Sequence, residues 1–303
     1  MQPAKMPALQ TADGHQAVSG IYKLQTLSER FFKIAAVGQR AEDFRIPQDY
    51  VPTKELPPLS DDEIWHHINS IPSDYCATGL DGIPVTVLTR CWASVGQLVC
   101  PFIRAAYNLG YHPEIFRVGK SFALRKPGRI KASQAKDYRP ITMLCTMSKV
   151  IEKVIAGRIS SCMEPDCNVD GSLFPDEQYG FRACRGCDQA SAALVNSIRT
   201  ARQQGKVASV AFLDISGAYD TVLPAKLLEE LVKIGLPRNI IEWTQSFLTG
   251  RTTHFSVETE TQVVETSLGL PQGSPLSPIL YAIYNRPAIQ LVKEMGCDII
   301  RTT

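Results

Sequence analysis

The chain has 303 residues, of which 44% are apolar and 20% charged, a composition typical of a globular protein with a sizeable core. No apolar run reaches the length of a membrane span and no signal-peptide core follows Met1, so the sequence favours an intracellular protein without a membrane partner. The net charge is only +2, and nine cysteines at irregular spacing are typical of reduced thiols.

Residues 1–58 predict a weakly structured connector. One helix is expected at 28–37, and several prolines interrupt the chain after it. Ser60 and Glu63 then form the two ends of a capping box, which predicts that a helix begins here. Further on, Leu98, Phe102 and Leu109 recur at helical spacing, so we expect them to form the buried face of a second helix.

Residues 117–139 form the most basic part of the chain, with eight basic residues against one acidic residue. Two short strands are predicted to flank a basic hairpin that contains Lys126 and Arg139. Such a charge excess is found on ordinary solvated surfaces, and it is also what neutralisation of phosphate groups requires. After it, Val150, Ile151 and Ile155 lie on one helical face, which we assign to the core.

The cysteine pairs Cys162/Cys167 and Cys184/Cys187 raise the question of a zinc site. The spacing is irregular, and we favour free thiols over zinc ligands. A helix is predicted to follow Asp188 and to end at Gly205.

The stretch 207–213 is almost wholly apolar and too short for a typical helix, so it predicts a buried strand. Asp214 follows at its end, and Tyr219 and Asp220 come shortly after. Two interpretations compete for Asp214: a cap of the next helix, or a ligand of a hard cation such as Mg²⁺. Asp220 is predicted to be a cap or a structural acid.

The last third of the chain predicts two helices, a hairpin at 252–268 and a loop at 269–277 that leads into a helix. In that loop, Ser277 is predicted to cap the helix and Pro278 to be its first residue.

Two motifs in this order, Phe-Leu-Asp-Ile-Ser-Gly-Ala-Tyr-Asp at 212–220 and Gly-Leu-Pro-Gln-Gly-Ser-Pro-Leu-Ser-Pro at 269–278, resemble reverse transcriptases, in particular those of non-LTR (LINE-like) retrotransposons. The segments 79–84, 126–128, 138–141 and 178–188 also resemble blocks of this family, so the resemblance runs from about Ser60 to Thr303. It implies an α+β fold of the right-hand polymerase type, with a connector at 1–58, fingers at 59–204 and an incomplete palm at 205–303.

The resemblance also implies roles for individual residues. Asp214 is the expected catalytic residue and binds two Mg²⁺ ions with the help of the Ile215 carbonyl. Nucleotide contacts are expected from Lys126, Arg139, Tyr219, Gln272 and Gly273. Template contacts are expected from Gly180, Phe181 and Arg182. The implied partners are an RNA template, a DNA primer and deoxynucleoside triphosphates, with no small-molecule cofactor and a nuclear location.

One expected motif does not occur in the sequence. The family's aromatic-x-Asp-Asp hairpin should follow Leu280, and the only Asp-Asp pair is Asp61-Asp62. We therefore expect a reverse transcriptase domain truncated before this motif and inactive in polymerisation. The alternative is a non-catalytic nucleic-acid-binding remnant, and a metal-dependent phosphohydrolase is disfavoured because no second acidic cluster exists. Without the hairpin, 207–213 is expected to form an unpaired sheet edge that promotes self-association.

Overall fold

The computed structural model describes residues 6–72, 77–129, 131–164 and 173–302. Its helices are α1 (Gly20–Phe31), α2 (Asp61–Asn69), α3 (Val85–Arg90), α4 (Trp92–Asn108), α5 (Thr146–Met163), α6 (Cys187–Gln203), α7 (Pro224–Lys233), α8 (Arg238–Leu248), α9 (Ser277–Tyr284) and α10 (Arg286–Glu294). Its strands are β1 (Leu9–Gln10), β2 (Gln16–Ala17), β3 (Val118–Arg125), β4 (Tyr138–Met143), β5 (Thr252–Val257) and β6 (Glu260–Glu265). The fold therefore mixes helices and sheet, as predicted.

The larger sheet has the strand order β4-β3-β5-β6. Strand β3 pairs antiparallel with β4 and parallel with β5, while β5 and β6 form an antiparallel hairpin. Buried and half-buried residues alternate along β5, because successive side chains point to opposite faces of a strand. Both predicted hairpins are confirmed, and the basic loop lies at the end of the β3–β4 pair.

Helix α1 covers one face of this sheet. Its buried residues are Lys23, Leu24, Leu27, Ser28 and Phe31. Phe31 and Phe32 pack edge-to-face on Phe255 of β5, with ring centroids 6.0 and 5.1 Å apart. The helix lies at Gly20–Phe31 rather than at 28–37, and this packing differs from the weakly structured connector that the sequence suggested.

A buried ion pair fixes α1 on the sheet. The Nζ atom of Lys23 lies 2.9 Å from Oε1 of Glu258, which is in the turn between β5 and β6. The same ammonium group donates a hydrogen bond to the carbonyl oxygen of Met6 at 2.6 Å. A buried lysine needs such partners, because an unpaired charge in the interior is strongly destabilising.

The main core lies among the helices and is continuous from the region before α2 to α9. On α5, Val150, Ile151, Val154 and Ile155 are fully buried, so the predicted core face of this helix is confirmed. The predicted cap of α2 is also confirmed, because the Ser60 hydroxyl accepts a hydrogen bond from the Glu63 amide at 3.1 Å.

Helix α4 buries the face opposite to the predicted one. Leu98 and Leu109 are exposed, whereas Ile103 and Tyr107 are buried. The helix is apolar on both faces, and helical spacing alone cannot decide which face meets the core.

No strand forms at 207–213. The chain is irregular from 206 to 215, and Val207, Phe212 and Leu213 are 94%, 86% and 92% exposed. A strand needs a neighbour to satisfy its backbone groups, and this segment pairs with no strand of the four-stranded sheet. The prediction of a buried strand is therefore wrong, and the predicted sheet edge does not form.

No helix in the described parts of the chain is both long and apolar enough to cross a bilayer.

Candidate functional site

The loop at 269–277 (the 269–277 loop) lies between the turn at 216–222 and strand β4. Its backbone donates two hydrogen bonds to that turn, from Gly269 to Val222 and from Leu270 to Tyr219, both at 2.9 Å. On the other side, the Thr142 amide of β4 donates to the carbonyl oxygen of Gln272 at 2.8 Å. The structure therefore brings together the two motifs that carry the resemblance and attaches them to the basic hairpin.

Two glycines make this close packing possible. Gly273 has a φ of +134°, and a Cβ atom there would overlap the carbonyl oxygen of Thr142. Gly269 has a φ of +80°, and its Cβ would lie 2.7 Å from the Tyr219 carbonyl oxygen. Only glycine adopts these backbone angles without strain and leaves room for the neighbouring backbone.

The side chain of Gln272 is held by Asp220. Its Nε2 atom donates a hydrogen bond of 2.9 Å to Oδ1 of Asp220. Burial raises the pKa of Asp220, while this hydrogen bond and the positive charges of Arg30, Lys126 and Lys33 oppose the increase. Asp220 is thus a structural acid, as predicted, and its partner is the glutamine expected to contact the nucleotide.

The end of α1 adds positive charge to the site. Arg30 and Lys33 are both exposed, and both act electrostatically on Asp220. The sequence does not predict a role for these two residues, because their segment favours a connector. A single basic residue outside a motif gives no signal of this kind.

Tyr219 is half-buried beside the 269–277 loop. Its ring lies on that of Tyr281 from α9, with centroids 5.0 Å apart and planes inclined by 34°. Burial raises the pKa of Tyr219, so the phenol stays neutral at physiological pH. Arg301 lies over the other ring, with its guanidinium carbon 5.3 Å from the Tyr281 centroid.

The basic hairpin presents its cations to solvent. Arg139 is exposed and Lys126 is half-buried, and neither makes an ion pair within the described residues. Arg129 is 3.5 Å from Oδ1 of Asp137, so its charge is partly compensated. The two basic residues among the predicted nucleotide contacts are therefore available to an anionic ligand.

The three predicted template contacts differ in exposure. Phe181 is exposed and has a φ of +59°, and Gly180 donates a long hydrogen bond of 3.4 Å to the Arg301 carbonyl. Arg182 is buried, forms an ion pair with Glu164 and donates to the carbonyl oxygen of Pro175 at 2.9 Å. The template role predicted for Arg182 does not fit this burial, because its donors are directed into the protein.

Asp214 and Ile215 lie in the exposed irregular segment. In the parts of the chain that the structure describes, no group of three or more His, Cys, Asp or Glu side chains is placed to hold a metal ion. The same finding applies to the predicted zinc question: Cys184 and Cys187 are exposed, Cys162 is buried, and Cys167 lies outside the described residues.

Sequence reasoning also missed Glu152, a fully buried acid on α5. Burial raises its pKa to about 7, although hydrogen bonds from Ser148 and Ser274 favour the charged form. Arg251 is buried nearby, and it donates a hydrogen bond to the Gly269 carbonyl at 3.4 Å. No motif in the sequence marks this contact.

The chain is similar to a known family and to several known proteins. The family model described as "Reverse transcriptase (RNA-dependent DNA polymerase)" matches residues 124–301. Among similar proteins, the "Probable RNA-directed DNA polymerase from transposon X-element" of Drosophila melanogaster is 35% identical over 60% of this chain and 19% of its own length. The "RNA-directed DNA polymerase from mobile element jockey" of the same species is 28% identical over 62% of this chain and 20% of its own length.

A third relative is the "Retrovirus-related Pol polyprotein from type-1 retrotransposable element R2" of Popillia japonica, 26% identical over 68% of this chain and 27% of its own length. The chain spans about a fifth of the length of the first two relatives. Because the family model covers more than half of the chain and includes both motifs, the protein belongs to the reverse transcriptase family of RNA-dependent DNA polymerases.

Proposed function

We propose that this chain forms the nucleotide-binding part of a non-LTR retrotransposon reverse transcriptase. One observation carries the proposal: the basic hairpin, the Tyr219–Asp220 turn and the 269–277 loop meet through the backbone hydrogen bonds of Thr142 and Leu270. In the complete enzyme the partners would be an RNA template, a DNA primer and deoxynucleoside triphosphates.

The roles follow from the chemistry of each group. Lys126 and Arg139 would bind the triphosphate, because cations that lack an ion-pair partner among the described residues attract phosphate oxygens. The flat ring of Tyr219 would lie under the sugar. Gln272, oriented by Asp220, would contact the nucleotide beside Gly273, where the missing side chain lets a ligand approach the backbone.

We further propose that 59–204 are fingers and 205–303 part of a palm. The continuous helical core across residue 204 means that these two parts would move together rather than as separate units. The N-terminal segment would serve as a cover for the four-stranded sheet, whose strands come from both parts.

Reverse transcriptases use divalent metal ions, and the resemblance assigns them to Asp214 and Ile215. Two dications need several carboxylate oxygens. The described residues gather no such cluster, and Asp214 lies on the exposed 206–215 segment. The donor set therefore does not fit a two-metal centre, and the proposal is limited to binding and orientation of the nucleotide.

Binding of dGTP and of inorganic pyrophosphate to the full chain tests the proposal. Lys126→Gln should weaken both ligands, since it removes a phosphate contact. Gln272→Ala should weaken dGTP alone. Lys226→Gln, which alters an exposed residue of α7, is the matched control. Equal affinity of all three variants for dGTP, or no saturable binding by the unmodified chain, would reject the nucleotide site.

The exposed hairpin also favours a second candidate, a nucleic-acid-binding remnant. Replacing Lys126, Arg129, Lys131 and Arg139 with Gln should then reduce the slope of log affinity against log salt by up to about 0.7 for each phosphate of a single strand that is no longer neutralised. This candidate predicts salt-sensitive RNA binding that dGTP does not displace, which separates it from the nucleotide-binding proposal.

A further inference from the structure

We infer that Glu152 is a positioning residue for the nucleotide-contacting loop: through Ser274 it holds Gln272 and Gly273 in place. The inference rests on the proposed function, since it concerns the same site. Glu152 lies on α5, 122 residues before Ser274 in sequence, and belongs to neither of the two motifs that carry the resemblance.

The carboxyl group of Glu152 has no exposed surface and two hydroxyl partners. The Ser148 hydroxyl, one turn earlier on α5, donates to Oε1 at 2.5 Å, and the Ser274 hydroxyl donates to Oε2. Each oxygen of the acid thus has one hydroxyl partner, and one of the two belongs to the loop.

Ser274 has no spare hydrogen-bonding capacity. Its oxygen accepts from the amides of Leu276 and Ser277 at 3.1 and 3.3 Å, so it caps the start of α9 in place of the predicted cap Ser277. A hydroxyl has one proton and two acceptor positions. With both acceptor positions occupied, the Ser274 proton must go to Glu152.

Ser277 connects this contact to the nucleotide side of the loop. Its hydroxyl donates to the Pro271 carbonyl at 2.9 Å, which closes the loop on itself around Gln272 and Gly273. Glu152 holds the downstream end of these two residues, while backbone and side-chain hydrogen bonds from β4 and the 216–222 turn hold Gln272 directly. Loss of Glu152 would leave the Ser274 hydroxyl proton buried without an acceptor, which is costly enough to rearrange the loop.

Protonation of Glu152 does not by itself break the contact. Burial raises the pKa of Glu152 to about 7, with Arg251 and Lys149 favouring the charged form and the thiol of Cys145 also nearby. The neutral acid can still accept from Ser274 through its carbonyl oxygen and donate to Ser148. Glutamine has the same donor and acceptor pair, so Glu152→Gln should preserve the contact, whereas Glu152→Ala cannot.

The experiment measures the affinity of the full chain for dGTP and for inorganic pyrophosphate. Glu152→Ala and Ser274→Ala should each weaken dGTP binding about tenfold, and the double variant should be no weaker than either one, because both remove the same contact. Glu152→Gln should bind dGTP within about twofold of the unmodified chain. Pyrophosphate, which needs only the hairpin, should bind all variants equally. Ser161→Ala, on the exposed side of α5, is the matched control.

Hydrogen exchange of the Leu276 and Ser277 amides gives a second measurement without any ligand. Their protection should fall in Glu152→Ala and be retained in Glu152→Gln. If the unmodified chain binds dGTP and Glu152→Ala binds it equally well, the inference is wrong while the proposed function stands. If the unmodified chain does not bind dGTP, the proposed function fails, and unchanged exchange in Glu152→Ala and Ser274→Ala would reject the loop contact as well.

Discussion

The 269–277 loop and the 206–215 segment each contain residues of a motif that identifies the family, and they are held in opposite ways. The 269–277 loop is attached on every side, through the backbone of Thr142 and Tyr219, the carboxyl of Asp220 and the buried acid Glu152. The 206–215 segment, which ends in Asp214 and Ile215, is exposed throughout.

This difference shows that sequence similarity and local structure are separate properties. A loop whose hydrogen bonds close on its neighbours is stable where it lies. An apolar segment without a pairing strand lacks such contacts, even when its residues match a family motif. The resemblance assigns nucleotide recognition to the 269–277 loop and metal binding to the 206–215 segment. In this chain the loop is held by hydrogen bonds to its neighbours, whereas the 206–215 segment is exposed.

The largest effect is expected from glycine substitutions in the two motifs. Gly273→Ala should reduce the free energy of unfolding by roughly 4 kcal/mol or more, because the new Cβ overlaps the Thr142 carbonyl at a φ that alanine avoids. Gly217→Ala should cost only about 1 kcal/mol, since its φ is +65° but the nearest atom lies 3.7 Å away. Urea denaturation measures the free energy of unfolding of both variants. Equal losses would contradict the expected difference between the two motifs.

Replacing one leucine by alanine in the 269–277 loop and one in the 206–215 segment provides the next test. Leu276→Ala should cost roughly 3 kcal/mol, because Leu276 is fully buried. Leu213→Ala should change the free energy of unfolding by less than about 0.5 kcal/mol, because the side chain is in solvent. A large loss in Leu213→Ala would mean that the 206–215 segment is packed in solution.

The pH dependence of stability tests the buried acid. Glu152 has its pKa raised from 4.5 to about 7, so the folded state retains a proton that the unfolded state loses in this range. Its contribution is complete below pH 4.5 and is lost as the pH rises towards 7. Glu152→Gln should therefore gain stability relative to the unmodified chain across this interval, by on the order of 3 kcal/mol.

The stability of Glu152→Gln must be compared with that of the unmodified chain at each pH, because the contribution of His112 to stability changes with pH in the opposite direction. Burial lowers the pKa of His112 to about 3, so its contribution is present above pH 6.5 and is lost as the pH falls. Subtracting the two stability curves cancels this contribution. A difference between the variants that does not change with pH would show that Glu152 does not titrate near neutrality.

The smallest free energy is expected for local opening of the 206–215 segment. Limited proteolysis with chymotrypsin should cut after Phe212 or Leu213 before any bond in the 269–277 loop, because exposed segments open at almost no cost. The order of cleavage can be read by mass spectrometry of early fragments. Initial cleavage after Leu276 would reverse the comparison.

Periodicity correctly predicted buried positions in part of the fold. The face of α5 with Val150 and Ile151 is an example, as is the alternation along β5. It selected the wrong face of α4, since both sides of that helix are apolar. It predicted a strand at 207–213 because an apolar run shows the tendency to pair but not whether a partner exists.

The candidate site was predicted residue by residue from its motifs, but not its supporting contacts. Gln272 and Asp220 are 52 positions apart in sequence, and Ser274 and Glu152 are 122 apart. No spacing rule connects residues at such distances. No motif marks Glu152, and only the structure shows that Ser274 is its partner.

The ion pair between Lys23 and Glu258 has a consequence for the order of folding. It joins residues 235 positions apart, so α1 cannot dock until the β5–β6 hairpin exists. During synthesis α1 emerges before this hairpin, and its apolar face stays uncovered while more than two hundred further residues emerge. The contact between α1 and the hairpin is thus a long-range contact that forms late, and contacts of this kind slow the completion of folding.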